Sequence, residues 1–264
     1  DDTSGSSLSM AGLSAVAAGL PEGLGLDLLG FDACLMGMTE IGYQFADYAD
    51  VMVASEELEP GDGWNYAFLQ ELVDCPEASA AALGGYIVDA YLDQPGYPSD
   101  EITLCAVDLN TLSDNLVSTI DSFAQAVRST TGFNWNSLWS VAAASIQFGG
   151  DYGIPFRDLG DFMTRTIAAG FSSEITAAAQ GVLSVLDTVV LHQTSTIAGT
   201  TGLSIYLPVA GDDTSYYEPL YSDSVLAFVA DTHWDEMLDE EPLAGGGPSV
   251  VNLGTVAQHT VSGI

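Results

Sequence analysis

Short apolar segments alternate with longer amphipathic segments through the first 108 residues, and this alternation most constrains the fold. The apolar or β-rich segments are bounded by turn formers, as strands are, and cover residues 24–33, 51–54 and 102–107. The segments with helical spacing cover residues 8–20, 36–48, 64–73 and 78–92. Because strands that alternate with helices build sheets covered on both faces, we predict an α/β fold with a mostly parallel sheet flanked by helices.

The pattern changes after Asp108. Residues 110–187 are mostly helical, residues 203–207 form a further apolar strand, and the Gly- and Pro-containing residues 243–248 are typical of a linker. The last residues, 250–264, have a weak preference for strand. We therefore expect three parts: residues 1–109 with the sheet, a helix-rich C-terminal subdomain at 110–242 with a few strands, and a linker and tail at 243–264.

The charge balance excludes whole classes of partner. Acidic residues outnumber basic ones 37 to 3, which gives a net charge of -34, and the three basic residues are Arg128, Arg157 and Arg165. Such a chain repels phosphate and anionic lipid, so we expect no nucleic-acid binding. No apolar run reaches the length of a membrane span. The acidity fits solubility in a salty or extracellular setting, or a bound divalent cation, although no EF-hand-like run is present.

The three cysteines do not form a disulfide framework, because their number is odd. Cys75 and Cys105 either pair in an oxidising compartment or are two buried thiols. Cys34 lies where the strand predicted at 24–33 meets the helix predicted at 36–48. Such a junction holds a thiol at the carboxyl end of the sheet, where the helix N–H groups can stabilise a thiolate or an oxyanion. By itself, this placement also suits a buried core cysteine.

Several motifs in order resemble the clostripain family of cysteine peptidases. Residues 31–38 (FDACLMGM) resemble the family's nucleophile motif, and the other matches, in order over residues 1–210, are 1–5 (DDTSG), 53–57 (VASEE), 59–64 (EPGDGW) and 202–208 (GLSIYLP). The resemblance implies a caspase-like sheet related to those of caspases and gingipains. It makes residues 1–109 part of the peptidase domain, and it implies that the helix-rich part packs on the sheet.

The resemblance also assigns site residues. Cys34 matches the nucleophile, which would form an acyl-enzyme thioester with its own backbone N–H as one oxyanion donor. Asp32 matches a specificity acid that binds the basic side chain before the scissile bond, and Asp62, 28 residues after Cys34, matches a second one. Carboxylates in such a pocket favour Arg over Lys, because the guanidinium makes paired charge-assisted bonds. The alternatives are that Asp32 caps a helix beginning near Leu35 and that Asp62 is an ordinary turn residue.

The family's catalytic histidine lies in a His-Gly motif upstream of residues 1–5. The histidines of this chain are His192, His233 and His259, all downstream and none followed by Gly. We expect His192 in the core, His233 at the surface or in packing, and His259 in the tail. The resemblance therefore implies that an upstream segment or N-terminal light chain supplies the histidine. Asp1 would lie shortly after the site of precursor cleavage, or the upstream part is left out of this sequence. The imidazolium of that histidine would offset the acidic surroundings, which disfavour a thiolate.

The resemblance completes the functional prediction. It implies a secreted or periplasmic endopeptidase for peptides and proteins with Arg or Lys, needing no cofactor for its chemistry. It also implies the calcium dependence of clostripain, for which the sequence identifies no ligands. Two alternatives stay open: a non-catalytic binding or scaffold domain on the same fold, and a caspase-like signalling peptidase with few substrates.

Overall fold

The computed structural model describes residues 9–21, 24–93, 101–222 and 224–240. The helices are α1 Met10–Ala18, α2 Thr39–Phe45, α3 Leu69–Asp74, α4 Ala80–Leu92, α5 Leu109–Thr111, α6 Val117–Ser129, α7 Trp135–Ala144, α8 Leu159–Ala169, α9 Ser173–Val189, α10 Ala227–Asp231 and α11 Trp234–Asp239. A π-helical turn, Leu112–Leu116, joins α5 to α6, and 3₁₀ turns cover Tyr66–Phe68, Gly150–Tyr152 and Glu218–Leu220. The strands are β1 Leu26–Gly30, β2 Ala49–Ala54, β3 Thr103–Asp108, β4 Phe156–Asp158, β5 Val190–Ser195 and β6 Ser204–Tyr206.

The main sheet has the strand order β1-β2-β3-β5, and β4 pairs with β6 in a second, small sheet. The α/β class with flanking helices is confirmed, but the strand directions correct the prediction of a mostly parallel sheet. Only β1 and β2 are parallel, while β2 with β3 and β3 with β5 are antiparallel. Two helices, α3 and α4, connect β2 to β3. A connection of this length lets β3 run in either direction, and β3 runs opposite to β2.

Side-chain alternation along β2 and β3 gives the sheet two apolar faces. Val53 and Ala106 lie in the cluster under α4, whereas Met52 and Cys105 lie in the larger cluster under the helices of the second half. Successive side chains of a strand point to opposite faces, and here both faces are covered. This explains why these strands have continuous apolar sequences.

Strand β1 lies at the edge of the main sheet. The sequence predicted a buried strand over residues 24–33, but β1 is shorter and half-buried, with Asp27 and Gly30 exposed. Within the described ranges its second edge pairs with no strand. The edge next to the predicted nucleophile is therefore open to a further strand.

The helix-rich second half packs on the sheet, as the resemblance implied. Strand β5, which the sequence did not predict, comes from this half and adds to β3. One continuous apolar cluster joins both halves, and at its centre Trp234 contacts Phe123 and Phe162. The boundary near residue 110 stays a prediction, and the predicted linker and tail at 243–264 lie outside the described residues.

Gly37 joins the two halves next to the predicted nucleophile. Its N–H donates to Ser55 O at 2.7 Å, and its carbonyl accepts from Ser204 N at 2.9 Å. A Cβ at position 37 would lie 2.7 Å from the Ser55 carbonyl carbon, so a side chain does not fit there. The turn before α2 is thus fixed to the end of β2 on one side and to β6 on the other.

All three arginines of the chain are ion-paired. The pairs are Arg128 with Glu240, Arg157 with Asp212 and Arg165 with Asp161. The second pair is buried, with 2% and 6% of the two side chains exposed, and its guanidinium also donates to Leu207 O. The chain has no lysine, so all of its Lys and Arg side chains form ion pairs within the helix-rich half.

Candidate active site

The Cys34 thiol is exposed at the carboxyl end of β1, in a turn that continues the strand. The Glu59 N–H donates to Cys34 Sγ at 3.2 Å, and the thiol can donate to Glu59 O at 3.7 Å. The predicted helix from residue 36 begins later, at Thr39, because Gly37 is held by its bonds outside the helix. The group that contacts the sulfur is therefore a loop amide rather than a helix N-terminus.

The backbone around Cys34 leaves one amide available. Leu35 has φ +61°, the left-handed conformation, and is the one non-glycine residue with positive φ among those the structure describes. Its N–H donates to Glu57 O at 3.1 Å. The Cys34 N–H makes no hydrogen bond within the described chain. A strained residue of this kind beside a nucleophile is typical of functional sites.

Asp32, two residues before Cys34, binds the loop that contacts the thiol and does not cap a helix. Its carboxylate accepts from Trp64 N at 3.1 and 3.2 Å and from the Tyr66 hydroxyl at 2.8 Å. That bond to Asp32 and, less, burial raise the pKa of the Tyr66 phenol. Gly63 has φ +66°, and a Cβ there would lie 2.8 Å from Asp32 Oδ2, so glycine permits the loop to approach the carboxylate.

Glu59 is a site residue that the sequence analysis did not single out, although its motif was recognised. Its Oε1 accepts from the Trp64 indole N–H at 3.1 Å, and its carboxyl lies against that of Asp32. Burial raises the pKa of Glu59 to about 8, with Asp32 adding to the rise and the indole bond opposing it. The available signal was an acid immediately before Pro60 in the loop that also holds Trp64.

Asp62 lies in an exposed turn of the same loop. In the described part of the chain its side chain makes no hydrogen bond or ion pair. The contacts therefore bring together Cys34, Asp32 and Glu59, while the role that the resemblance gives Asp62 stays a prediction.

Neither described histidine approaches Cys34. His192 was expected in the core but lies half-exposed on β5, which two strands separate from β1, and its Nε2 is 2.7 Å from Asp89 Oδ1. His233 is exposed as expected, with its Nδ1 2.8 Å from Asp121 Oδ1. Both imidazoles have carboxylate partners away from the thiol. His259 lies outside the described residues.

A layer of buried acids supports the loop from behind. Glu57 Oε1 accepts from its neighbour Leu58 N and from Gly149 N at 2.8 Å, which links the loop to the helix-rich half. Burial, and then Asp158, raise the pKa of Glu56 well above its usual range. These carboxyls are protonated more readily than exposed ones, so burying them costs less.

The other two cysteines differ from the prediction of a pair or of two buried thiols. Cys105 is buried, and burial raises the pKa of its thiol well above the usual value. Cys75 is exposed, and both are free. Cys34 is therefore the thiol placed beside other polar site groups.

An apolar cleft of about 580 Å³ opens beside the thiol. Cys34 lines it together with Met36, Met38, Ile41 and Tyr217. The cleft lies beside the same sulfur that the acidic loop contacts. A peptide chain can thus meet carboxylates and an apolar wall at the thiol.

Two expectations concern ions and membranes. Within the described ranges no group of three or more His, Cys, Asp and Glu side chains is arranged to hold a metal ion, and the calcium dependence that the resemblance implies stays a prediction. Over the same ranges, no helix is long and apolar enough for a membrane crossing.

Known proteins share this fold. The family model described as the clostripain family matches residues 1–240. A clostripain from Bacteroides thetaiotaomicron, solved with a peptide inhibitor, superposes with a TM-score of 0.63 at 18% identity, over 85% of this chain and 94% of that one. A B. fragilis cysteine protease superposes with a TM-score of 0.61 at 19% identity, over 87% of this chain and 97% of that one. A secreted C11 cysteine protease from B. thetaiotaomicron superposes with a TM-score of 0.63 at 21% identity, over 84% of this chain and 60% of that one. No curated protein sequence matches significantly.

Proposed function

The chain belongs to the clostripain family of cysteine peptidases, and from that premise we propose that it cleaves peptide bonds after a basic residue, arginine before lysine, with Cys34 as the nucleophile. One observation carries the proposal. An exposed thiol is hydrogen-bonded to the backbone of Glu59, whose carboxyl lies against that of Asp32, and all three arginines of the chain are paired elsewhere. The chain itself therefore supplies no basic side chain to these acids, and a substrate can.

In this mechanism the Cys34 sulfur attacks the carbonyl carbon of the substrate and forms a thioester, and the amine product leaves with a proton. Water then hydrolyses the thioester. The Cys34 N–H, which has no partner within the described chain, is one donor to the oxyanion. The Glu59 N–H donates to the sulfur and so fixes its position next to the loop.

The proton is taken by a histidine from an upstream segment or light chain. The open edge of β1 supports this part of the proposal, because a strand added there in parallel would end beside Cys34. An inactive zymogen of a C11 protease from Parabacteroides distasonis is among the similar structures, which supports processing of a precursor. Similar proteases described as secreted support a secreted or periplasmic location.

Asp32 binds the basic side chain of the substrate, and Asp62 contributes a second carboxylate from the exposed turn. The carboxylate of Asp32 is already oriented by Trp64 and Tyr66, so little order is lost when a cation binds. The peptide inhibitor in the B. thetaiotaomicron clostripain structure is written BTN-VLTK-AOMK, with lysine as its last amino acid. Arginine is preferred here because its planar fork can reach two acids at once.

The test co-expresses this chain with the upstream segment of its gene. Fluorogenic peptides ending in Arg, Lys or Asp are assayed with and without calcium, and the Cys34→Ala protein is the control. We expect turnover in the order Arg, Lys, Asp. Fastest turnover of the Asp peptide would eliminate the role of Asp32. Absence of any Cys34-dependent cleavage would favour a non-catalytic binding domain.

A further inference from the structure

Glu59 connects the nucleophile to the specificity acid. Its backbone N–H contacts Cys34 Sγ, and its carboxyl lies against Asp32. The indole of Trp64 holds Oε1, while Oε2 is shielded from solvent and accepts from no donor within the described chain. The carboxyl is therefore fixed in place with one oxygen unsatisfied.

A proton on the Glu59 carboxyl would satisfy this buried oxygen. A buried carboxylate oxygen without a donor costs free energy, but a protonated oxygen becomes a donor itself. Asp32 is the acceptor against which the Glu59 carboxyl lies. Two adjoining carboxyls that share one proton avoid the repulsion of two negative charges.

The surroundings contain no built-in cation. The titratable groups that face Glu59 are Asp32 and Cys34 from the segment after β1 and the Tyr66 hydroxyl from the 3₁₀ turn. Asp62, in the same loop, is exposed. All of these carry negative or zero charge, so no side chain of the described residues supplies a positive charge to the pair, and the cation expected there is the basic side chain of the substrate.

We propose that Glu59 is a specificity-determining residue, which shares a proton with Asp32 in the free enzyme and releases it when the basic side chain of the substrate binds. The inference rests on the proposed function, because it assigns a further residue to the same pocket. The proton passes from the Glu59 carboxyl to solvent, and the pair changes from one negative charge to two. The guanidinium or ammonium then faces two carboxylates instead of one.

This arrangement makes the preference for a cation dependent on pH. At low pH the substrate must displace the proton of Glu59, whereas at high pH the proton has already left. Burial and the neighbouring Asp32 place the pKa of Glu59 at about 8, so the change falls within an accessible range. Discrimination between a basic side chain and a neutral one of the same shape should thus rise with pH.

The experiment compares two fluorogenic peptides that end in arginine or in citrulline, its uncharged isostere. The active two-part enzyme is assayed from pH 6 to pH 9.5, and the ratio of the two kcat/KM values is plotted. Ionisation of the thiol and the histidine affects both substrates and cancels in the ratio. We expect the ratio to rise about tenfold around pH 8, as one added charge-assisted contact would give.

Three variants test the assignment. Glu59→Gln keeps the shape but cannot ionise, so its ratio should not change with pH. Trp64→Phe removes the indole donor that favours the ionised form, so the rise should move to higher pH. Glu71→Gln removes an exposed acid on α3 and should behave as the wild type.

A binding measurement avoids catalysis. Calorimetric titration of the Cys34→Ala protein with an arginine-ending peptide, in two buffers of different ionisation enthalpy, counts the protons released. We expect release of up to one proton at pH 7, and none with Glu59→Gln added.

The outcomes separate the two proposals. If the wild type cleaves after arginine but its ratio is flat with pH, or if Glu59→Gln leaves the rise in place, then the role of Glu59 is refuted and the peptidase assignment stands. If no peptide is cleaved in a Cys34-dependent way, the proposed function itself fails.

Discussion

Two regions of this molecule handle negative charge in opposite ways. In the helix-rich half the buried Asp212 is matched by the guanidinium of Arg157, and the pair is complete within the chain. In the loop beside Cys34, Asp32 and Glu59 adjoin each other, and no basic side chain of the chain accompanies them. The difference teaches that the charges of the first region are balanced within the chain, whereas those of the second are not, and it is for the second that we propose a positively charged substrate.

The strongest test of this comparison is removal of the nucleophile. We expect Cys34→Ala to reduce kcat at least about 10⁴-fold in the two-part enzyme, as loss of a catalytic nucleophile does. Because Cys34 is exposed, the thermal unfolding temperature should not change. Cys75→Ala, which removes the other exposed thiol, is the matched control, and an equal loss of activity there would contradict the assignment.

Breaking the buried ion pair should destabilise the fold. Asp212→Ala leaves the guanidinium of Arg157 buried without its carboxylate, and we expect a loss of about 3–5 kcal/mol in the free energy of unfolding. Urea denaturation followed by circular dichroism measures it. Arg165→Met breaks the more exposed pair with Asp161 and should cost less than about 1 kcal/mol. Equal losses would show that burial does not distinguish the two pairs.

Removing an acid from the other region should spare stability and reduce activity. We expect Asp32→Asn to lower kcat/KM for arginine peptides about 100-fold, because a charge-assisted contact with the substrate is lost. Unfolding by urea should change little, since the Asn carbonyl oxygen can still accept from Trp64 N and from the Tyr66 hydroxyl. A large loss of stability would indicate that Asp32 is structural.

The smallest effect concerns pH. Burial raises the pKa of Glu40 to about 7 from its ordinary 4.5, so between these values the folded state binds more protons than the unfolded state. The free energy of unfolding should therefore fall by about 2 kcal/mol as pH rises from 4.5 to 7. Glu40→Gln should flatten part of this decline, measured by urea denaturation at several pH values. A decline of unchanged steepness would exclude Glu40 as its source.

The sequence indicated the position of the thiol and less of its surroundings. Local pattern places Cys34 at the end of a strand, whereas its role as nucleophile and the role of Asp32 were implied by the resemblance to the clostripain family and stay predictions. The orientation of the Glu59 carboxyl depends on how the whole loop folds around Trp64. The spacing of apolar residues in the sequence does not predict that. The start of α2 at Thr39 was missed for a similar reason, because long-range bonds hold Gly37 outside the helix.

The strand directions and β5 could not be predicted from local pattern. Antiparallel β3 looks the same in sequence as a buried parallel strand, since both faces of the sheet are covered. The segment that forms β5 follows α9 directly and contains His192. Exposed and buried residues do not alternate along it as they do in a half-buried strand. Pairing with β3 rather than its own pattern determines its conformation.

The attachment of Gly37 to Ser204 has a consequence for biosynthesis. Gly37 O accepts from both the N–H and the hydroxyl of Ser204, 167 residues later in the chain. A ribosome-bound polypeptide that has not yet emerged to residue 204 lacks the partner that holds the turn behind its thiol. The turn behind the thiol can therefore reach its final form only after residue 204 has been synthesised.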